Sequence, residues 1–477
     1  MGDKLEVSAM DVKIKRFCLA LLAFSFPLFC MDSLRAETAQ QADQQKVFFA
    51  RSEEICRDLE TILGVPFKNK VAMEVQSSED FRAYVRRSLD RQFGKDGAKN
   101  YVKALVALGA LERPVDLNST ILGLMEDQAL AHYDPEKRTF YLLMTNMPPM
   151  FIDPIASHEL CHAFQDQYHD LYTFLEKDVE RIRDNGDAAL ARQSLVEGQA
   201  TLVMTIWMIM RNSGTDRLGA AEFMAAAALK IEDSMELETM IEMSETQFGK
   251  SGNEADPIMA SMKNLRETPR YFVEPLMASY IAGALMVEQV KSKGGWKAVE
   301  ALYNRPPLSS EQVLHPEKMG GQDEPIDVRL PELKGLMPEG WRLLVNDVMG
   351  EEGIRVFLKI WQQKGAEDPT AAASAAAGWG GDRYYYFENE ATGKHFLVWK
   401  TVWDTGQDAG EFSVACRIAL RSRFPKFSKA GKSDAGSEYK YQVWEVQPGR
   451  YLKLATKGNE VTIVDTTDES LMNIQWR

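Results

Sequence analysis

The order of apolar and polar positions divides the chain into a long helical part and a shorter part rich in strands. Up to residue 325, apolar residues recur at helical spacing in several stretches, such as 47–63 and 272–291, and predict amphipathic helices. One run in this part, T-F-Y-L-L-M at 139–144, has the composition of a strand. Beyond residue 326, short strand-like runs follow one another and predict a largely antiparallel sheet.

These patterns together predict an α+β protein with two folded units. The first unit, residues 37–325, is expected to be mostly helical with one small sheet. The second, residues 326–477, is expected to be an α+β domain that includes a helix from Trp341 to Trp361. We expect strand 139–144 to lie at the edge of the small sheet, because a Pro-Pro turn follows it directly. Its apolar composition leaves an interior position as the alternative.

The first 36 residues have the layout of a secretory signal peptide. Basic residues at 13, 15 and 16 precede an apolar run at 17–29, and the small residue Ala36 follows. An uncleaved membrane anchor is the alternative, although this apolar run is short for a membrane span. The segment therefore predicts an exported protein, located in the periplasm or outside the cell.

Charge and cysteine content argue against several classes of function. The chain carries 70 acidic and 56 basic residues, a formal net charge of −14, and 45% of its residues are hydrophobic, as in ordinary globular proteins. Excess negative charge repels nucleic acid, so we expect no nucleic-acid partner. The cysteines outside the signal segment are Cys56, Cys161 and Cys416. They form no C-x-x-C pair and indicate neither a cysteine zinc site nor a disulfide framework.

The sequence H-E-L-C-H at 158–162 is the strongest indication of chemistry. It lies on a helix predicted over 154–168, which opens with a D-P pair. On a helix, His158 and His162 lie one turn apart on the same face and can bind one Zn²⁺ ion, with Glu159 beside them as a general base. The alternative is a helix that carries two histidines without a metal. The chain has only six histidines, and two of them are placed here.

Zinc requires a third protein ligand, and two candidates follow the motif. Glu197 lies on a helix predicted over 187–210, where a carboxylate among apolar residues needs a partner. The glycine after it is expected to allow close packing against the histidine-bearing helix. His169 is the other candidate, but the continuation H-x-x-G-x-x-H is not met, because Gln165 and Tyr168 occupy the glycine and histidine positions.

H-E-x-x-H with a downstream E-G-x-A resembles the gluzincin metallopeptidases. A wider pattern, at 158–167, 195–198, 309–318 and 403–412, is similar to a group of exported bacterial peptidases of unknown substrate and spans most of the chain after the signal segment. The resemblance implies a zincin-like catalytic domain, a zinc cofactor and a peptide or protein substrate. The G-x-M-E-N motif of the related aminopeptidases is missing from the sequence, so endopeptidase action is favoured over aminopeptidase action.

A group that stabilises the negatively charged oxygen formed during hydrolysis is expected from outside the metal ligands. The candidates are His315, which precedes a proline in a loop, and Tyr280, on the helix at 272–291. A capping or surface role for His315 and core packing for Tyr280 are the alternatives. Asp166, one turn beyond His162, is expected to face solvent, with a hydrogen bond to a ligand imidazole as the alternative.

The leading interpretation is an exported zinc metallopeptidase that uses a zinc-bound water, with Glu159 as the general base. Strand 139–144, if it lies at a sheet edge, would bind an extended peptide as an added strand. Two other functions remain open. One is a non-catalytic binding or assembly protein of the cell envelope that retains a zincin fold, and the other is a zinc hydrolase that acts on a different bond.

Overall fold

The computed structural model of the protein describes residues 38–126, 131–143, 149–177, 184–213, 217–248, 263–321, 323–330, 333–362, 371–426, 428–432 and 440–473. The expected signal peptide, residues 1–36, lies outside the described residues. Among the residues within these ranges, no helix is long and apolar enough to cross a membrane.

Helices dominate the described chain before residue 337. They are α1 Thr38–Leu63, α2 Ser78–Leu108, α3 Leu117–Glu126, α4 Pro149–His169, α5 Gly186–Ser213, α6 Leu218–Asp233, α7 Leu237–Phe248, α8 Arg270–Leu302, α9 Ser310–Leu314 and α10 Leu333–Leu336. The apolar helix α5 lies at the centre of this part and packs against α1, α4, α6 and α8. The helices expected at 47–63, 187–210 and 272–291 are confirmed, and each extends beyond the predicted bounds.

A three-stranded sheet lies beside α4. Its strands are β1 Ala72–Gln76, β2 Ala131–Asp134 and β3 Thr139–Leu143. Strand β3 is the central one, parallel to β1 and antiparallel to β2. The prediction of an edge strand at 139–144 is therefore wrong, and the interior alternative is correct. All five residues of β3 are buried, as its apolar sequence requires of a strand covered on both faces.

The C-terminal part is built on a seven-stranded antiparallel sheet. Its strands are β4 Trp341–Asp347, β5 Trp379–Asn389, β6 His395–Trp403, β7 Ser428–Lys432, β8 Lys440–Gln447, β9 Arg450–Lys457 and β10 Glu460–Thr466, in the order β4-β5-β6-β10-β9-β8-β7. Helices α11 Gly350–Gln362, α12 Ala371–Ala376 and α13 Gly406–Arg423 share a core with this sheet. The predicted α+β class with a largely antiparallel C-terminal sheet is confirmed.

The helix predicted from Trp341 to Trp361 is wrong in its first half. Residues 341–347 form strand β4, and α11 begins only at Gly350. Gly350 has a φ of +72°, which ends the extended segment. The buried carboxylate of Asp382 then accepts hydrogen bonds from the N–H groups of Met349 and Gly350, and so satisfies the start of α11.

The helix that carries the H-E-x-x-H sequence begins earlier than predicted. It starts at Pro149, and Pro154 lies inside it. Asp153 is therefore not an N-cap residue. Instead, its buried carboxylate accepts a hydrogen bond of 3.1 Å from Nε of Arg51 on α1, which ties the two helices together.

The first residues of α5 are held both by α9 and by the C-terminal domain. The carboxylate of Asp187 accepts the backbone N–H of Ser310 at 3.1 Å, and the carboxylate of Asp347 accepts that of Gly186 at 2.6 Å. A side chain on Gly350 would overlap Asp187, so the two chain segments are in direct contact. These bonds fix the start of the helix that carries Glu197.

Candidate metal centre

Three side chains from two helices meet at one point. His158 and His162 lie one turn apart on α4, and Glu197 lies on α5. The Nε2 atoms of the two histidines are 3.1 Å apart, and Oε2 of Glu197 lies 3.1 Å from Nε2 of His158 and 3.4 Å from Nε2 of His162. The structure thus brings together the three residues predicted as metal ligands.

The spacing of these three atoms fits a metal ion between them. Tetrahedral zinc with bonds of about 2.0–2.1 Å holds its ligand atoms about 3.3 Å apart, close to the observed separations. Two imidazoles and a carboxylate are also a donor set that zinc prefers. The side chains of His158, His162 and Glu197 are 8%, 11% and 16% exposed, so the centre is not sealed from solvent.

The same three side chains favour a positive charge at their centre. Burial alone raises the pKa of Glu197, but the charge of His162 and hydrogen bonds from both histidines lower it well below its usual value. Burial alone lowers the pKa of His162, and the carboxylate of Glu197 more than reverses this effect. A bound divalent cation would supply the same positive charge next to the carboxylate of Glu197.

A second group of carboxylates, from Glu311, Asp323 and Asp404, is also close enough to hold a metal ion. Here, however, Nζ of Lys318 lies 2.6 Å from Glu311 and 2.9 Å from each of the other two. The lysine ammonium group supplies the positive charge that these carboxylates need. The four residues therefore form an ion-pair cluster that joins the helical part to the C-terminal domain.

Glu159 is held beside the metal ligands by the small sheet. Its Oε2 atom accepts a hydrogen bond of 2.8 Å from the backbone N–H of Tyr133 on β2. Burial, opposed by the charges of the two histidines, raises the pKa of Glu159. The bond from Tyr133 fixes one carboxylate oxygen and leaves Oε1 as the oxygen that can take a proton.

Tyr280 belongs to the same site. Its ring lies over that of His158, with centroids 5.7 Å apart and planes 28° apart, and its hydroxyl lies near Glu197. Burial and the charges of Glu197 and Glu159 raise its pKa well above the usual value, so the hydroxyl keeps its proton and can donate. The structure therefore brings this predicted residue to the metal ligands.

His315 is not brought to the metal ligands. It lies after α9, where its Nε2 is 3.0 Å from Glu351 of α11. Helix α9 contacts α5 at Asp187, ten residues before Glu197, which corresponds to about 15 Å along a helix. The bond to Glu351 raises the pKa of His315. The side chain thus links α9 to the C-terminal domain, a role that differs both from oxyanion stabilisation and from the expected alternative of a capping or surface role.

His169 lies two turns beyond His162 on α4, about 10 Å further along the helix axis. Its Nε2 is paired with Glu300, and its ring stacks on that of Tyr303 at a centroid distance of 3.8 Å. Both rings line a cavity of about 630 Å³ at the C-terminal end of α4. This placement favours Glu197 over His169 as the third ligand.

Asp166 is buried, contrary to the expectation that it faces solvent. It accepts hydrogen bonds of 2.8 Å from the hydroxyl of Tyr133 and from the backbone N–H of Leu171. Tyr133 thus spans from Glu159 to Asp166, and the sequence patterns missed it because its contact with Glu159 is made by its backbone N–H. Gln165 was also missed, and its oxygen lies 2.7 Å from Nδ1 of His162. Its position three residues after the histidine could have indicated this contact.

Comparison with known proteins gives one match. Residues 342–475 match a family described as a domain of unknown function (DUF8575). The match covers the C-terminal sheet with its helices and includes none of His158, Glu159, His162 and Glu197. No curated protein and no solved structure matches the chain.

Proposed function

We propose that the protein is a zinc-dependent metallopeptidase with His158, His162 and Glu197 as zinc ligands. The observation that carries this proposal is the convergence of these three side chains at 3.1–3.4 Å, with the carboxylate of Glu159 alongside. Such a set leaves one position free on a tetrahedral ion, as in catalytic zinc sites. When bound there, zinc would polarise the scissile carbonyl and activate a water molecule.

Glu159 is the proposed general base. A carboxylate next to the metal ligands can accept a proton from the attacking water and pass it to the leaving amine. The N–H of Tyr133 holds Oε2 of Glu159, so the carboxylate is oriented before substrate binds. The hydrogen bond from Tyr133 to Asp166 fixes the tyrosine in turn.

Tyr280 is the proposed donor to the oxygen that becomes negatively charged. Its ring lies over His158, and its hydroxyl lies near Glu197. A protonated phenol in this position can donate a hydrogen bond to the developing charge. His315 has no part in this mechanism, because it is bonded to Glu351 at the domain junction.

The substrate is proposed to be a peptide or protein. Peptide addition to strand β3 is excluded, since both of its edges are already paired. Export, proposed from the first 36 residues, would place this activity outside the cytoplasm.

The test measures zinc content and hydrolysis of a quenched fluorescent peptide library by the full chain after its signal segment. Glu159→Gln should keep zinc and fold but lose hydrolysis, because an amide cannot accept the proton. Glu74→Gln, at an exposed position on β1, is the matched control and should keep full activity.

Two results would count against the proposal. Hydrolysis by Glu159→Gln at the wild-type rate would remove Glu159 from the mechanism. Zinc binding with no hydrolysis of any peptide by the wild-type protein would favour a binding protein or a hydrolase of another bond.

A further inference from the structure

A chain of buried hydrogen bonds leads from His162 away from the metal site. Nδ1 of His162 lies 2.7 Å from Oε1 of Gln165. The amide nitrogen of Gln165 lies 2.9 Å from the carbonyl oxygen of Val196 and 3.2 Å from Oε1 of Gln199. The side chains of both glutamines are fully buried, so each amide group must find its partners within the protein.

The partners of Gln165 determine which way its amide group points. A backbone carbonyl can only accept, so the oxygen of Val196 requires the NH₂ group of Gln165 on its side. The oxygen of Gln165 must then face His162. Because that oxygen can only accept, Nδ1 of His162 must carry the hydrogen. The lone pair of the neutral imidazole is therefore on Nε2, the atom that points at Glu197.

A second set of contacts holds Gln199 in the matching orientation. Oε1 of Gln199 accepts from the hydroxyl of Tyr303 at 2.6 Å, and its amide nitrogen lies 3.5 Å from Oε1 of Glu300. A carboxylate accepts only, so it selects the NH₂ end of Gln199 and leaves the oxygen for Gln165. Glu300 and Tyr303 both follow the break in α8 at Gly295, which has a φ of +68°.

We infer that Gln165 is a positioning residue, which fixes His162 in the tautomer that can bind a metal through Nε2. Gln199, Tyr303 and Glu300 support it by fixing the orientation of its amide. The inference rests on the zinc centre proposed above, but it does not depend on peptide hydrolysis. Partners of this kind around metal-binding histidines typically change metal affinity by 10–100-fold when they are removed.

The first experiment measures the zinc dissociation constant by competition with a chelator in the full chain after its signal segment. Gln165→Leu should bind zinc about 10–100-fold more weakly than the wild type. Gln167→Leu is the matched control, because Gln167 lies on the same helix but bonds to Asn69 at the surface, and its zinc affinity should not change. Equal zinc affinity for the wild type and Gln165→Leu would overturn the inference.

The second measurement needs no variant and therefore survives a failure of Gln165→Leu to fold. Two-bond ¹H–¹⁵N correlations of histidine rings in the zinc-loaded wild type identify which nitrogen of His162 carries the hydrogen. We expect a hydrogen on Nδ1 that exchanges slowly with water, as in a buried hydrogen bond. A hydrogen on Nε2, with zinc on Nδ1, would overturn the inference.

The outcomes for the two proposals are separable. Zinc-loaded protein that hydrolyses no peptide would contradict the peptidase proposal. It would not change the conclusion about Gln165, which depends on zinc affinity and on the tautomer of His162. An active peptidase in which Gln165→Leu keeps its zinc affinity would support the peptidase proposal and contradict the positioning role of Gln165.

Discussion

Gly198 and Gly283 bring the backbones of α5 and α8 into direct contact. A Cβ atom on Gly283 would lie 3.2 Å from Cα of Gly198 and would overlap the carbonyl oxygen of Ser194. Gly198 follows Glu197, and Gly283 lies three residues after Tyr280. The contact therefore sets the distance between the proposed third ligand and the proposed oxyanion donor.

The first prediction is that Gly283→Ala destabilises the protein and weakens the metal site. The added methyl group meets backbone atoms that cannot rotate away, so we expect a loss of about 2 kcal/mol in the free energy of unfolding. Denaturant unfolding and zinc titration measure the two effects. Gly219→Ala on α6 is the control: no atom lies within 4 Å of its added Cβ, so stability should not fall. A Gly283→Ala protein as stable as this control would contradict the close contact.

The second prediction separates the two candidates for the third ligand. Glu197→Ala should lose most of its zinc, because two imidazoles alone bind the ion weakly. His169→Ala should retain zinc, since its side chain pairs with Glu300 and lies two helical turns beyond His162. The zinc retained by each of the two variants is measured after dialysis against a weak chelator. Loss of zinc from His169→Ala together with retention by Glu197→Ala would make His169 the third ligand.

The third prediction concerns Tyr280. Tyr280→Phe keeps the ring over His158 but removes the hydroxyl, so zinc content should persist while kcat falls about 10²-fold. Steady-state kinetics on one fluorogenic peptide measure kcat and KM separately. A kcat equal to that of the wild type would mean that Tyr280 serves packing alone.

The fourth prediction is a pH dependence that arises at the domain junction. Burial, offset in part by Arg355, raises the pKa of Glu352 to about 7, and its Oε2 has no hydrogen-bond partner among the described residues. A carboxyl group whose pKa is higher in the folded than in the unfolded state makes the fold more stable at low pH than at high pH. This contribution is present below the unfolded value of about 4.5 and is lost as the pH rises through about 7.

Glu352→Gln removes this titration and tests its sign. Between pH 5 and pH 8, the wild type should lose about 2 kcal/mol of stability relative to Glu352→Gln. Urea unfolding at the two pH values measures the difference. Glu339→Gln, at an exposed position, should follow the wild type. A wild-type curve parallel to that of Glu352→Gln would show that Glu352 stays ionised throughout this range.

The proposed metal site could be predicted from the sequence where its chemistry is local. His158, Glu159 and His162 lie within five residues of one helix, so helical spacing alone sets their relative positions. Glu197 could be predicted because a carboxylate within an apolar helix needs a charged or polar partner. The sequence identified the need of Glu197 for a partner, and the structure supplies that partner on α4.

Pairings between distant segments could not be predicted in the same way. Strand β3 is central because Thr139 pairs with Ala72, and no local pattern records a partner 67 residues away (139 − 72). The glycine after Glu197 was expected to face the histidine helix, but it packs against Gly283 instead. Helical periodicity shows which residues share a face, but it does not show which neighbouring helix covers that face.

The anchoring of α5 at its first residues has a mechanical consequence. A helix is stiff along its axis, and about 15 Å separates Asp187 from Glu197. Asp187 is held by Ser310 and lies against Gly350 of the C-terminal domain. We therefore expect a small tilt of the C-terminal sheet to be transmitted along α5 and to displace the carboxylate of Glu197. The fit of the three proposed ligands to one ion would then depend on a domain that contributes none of them.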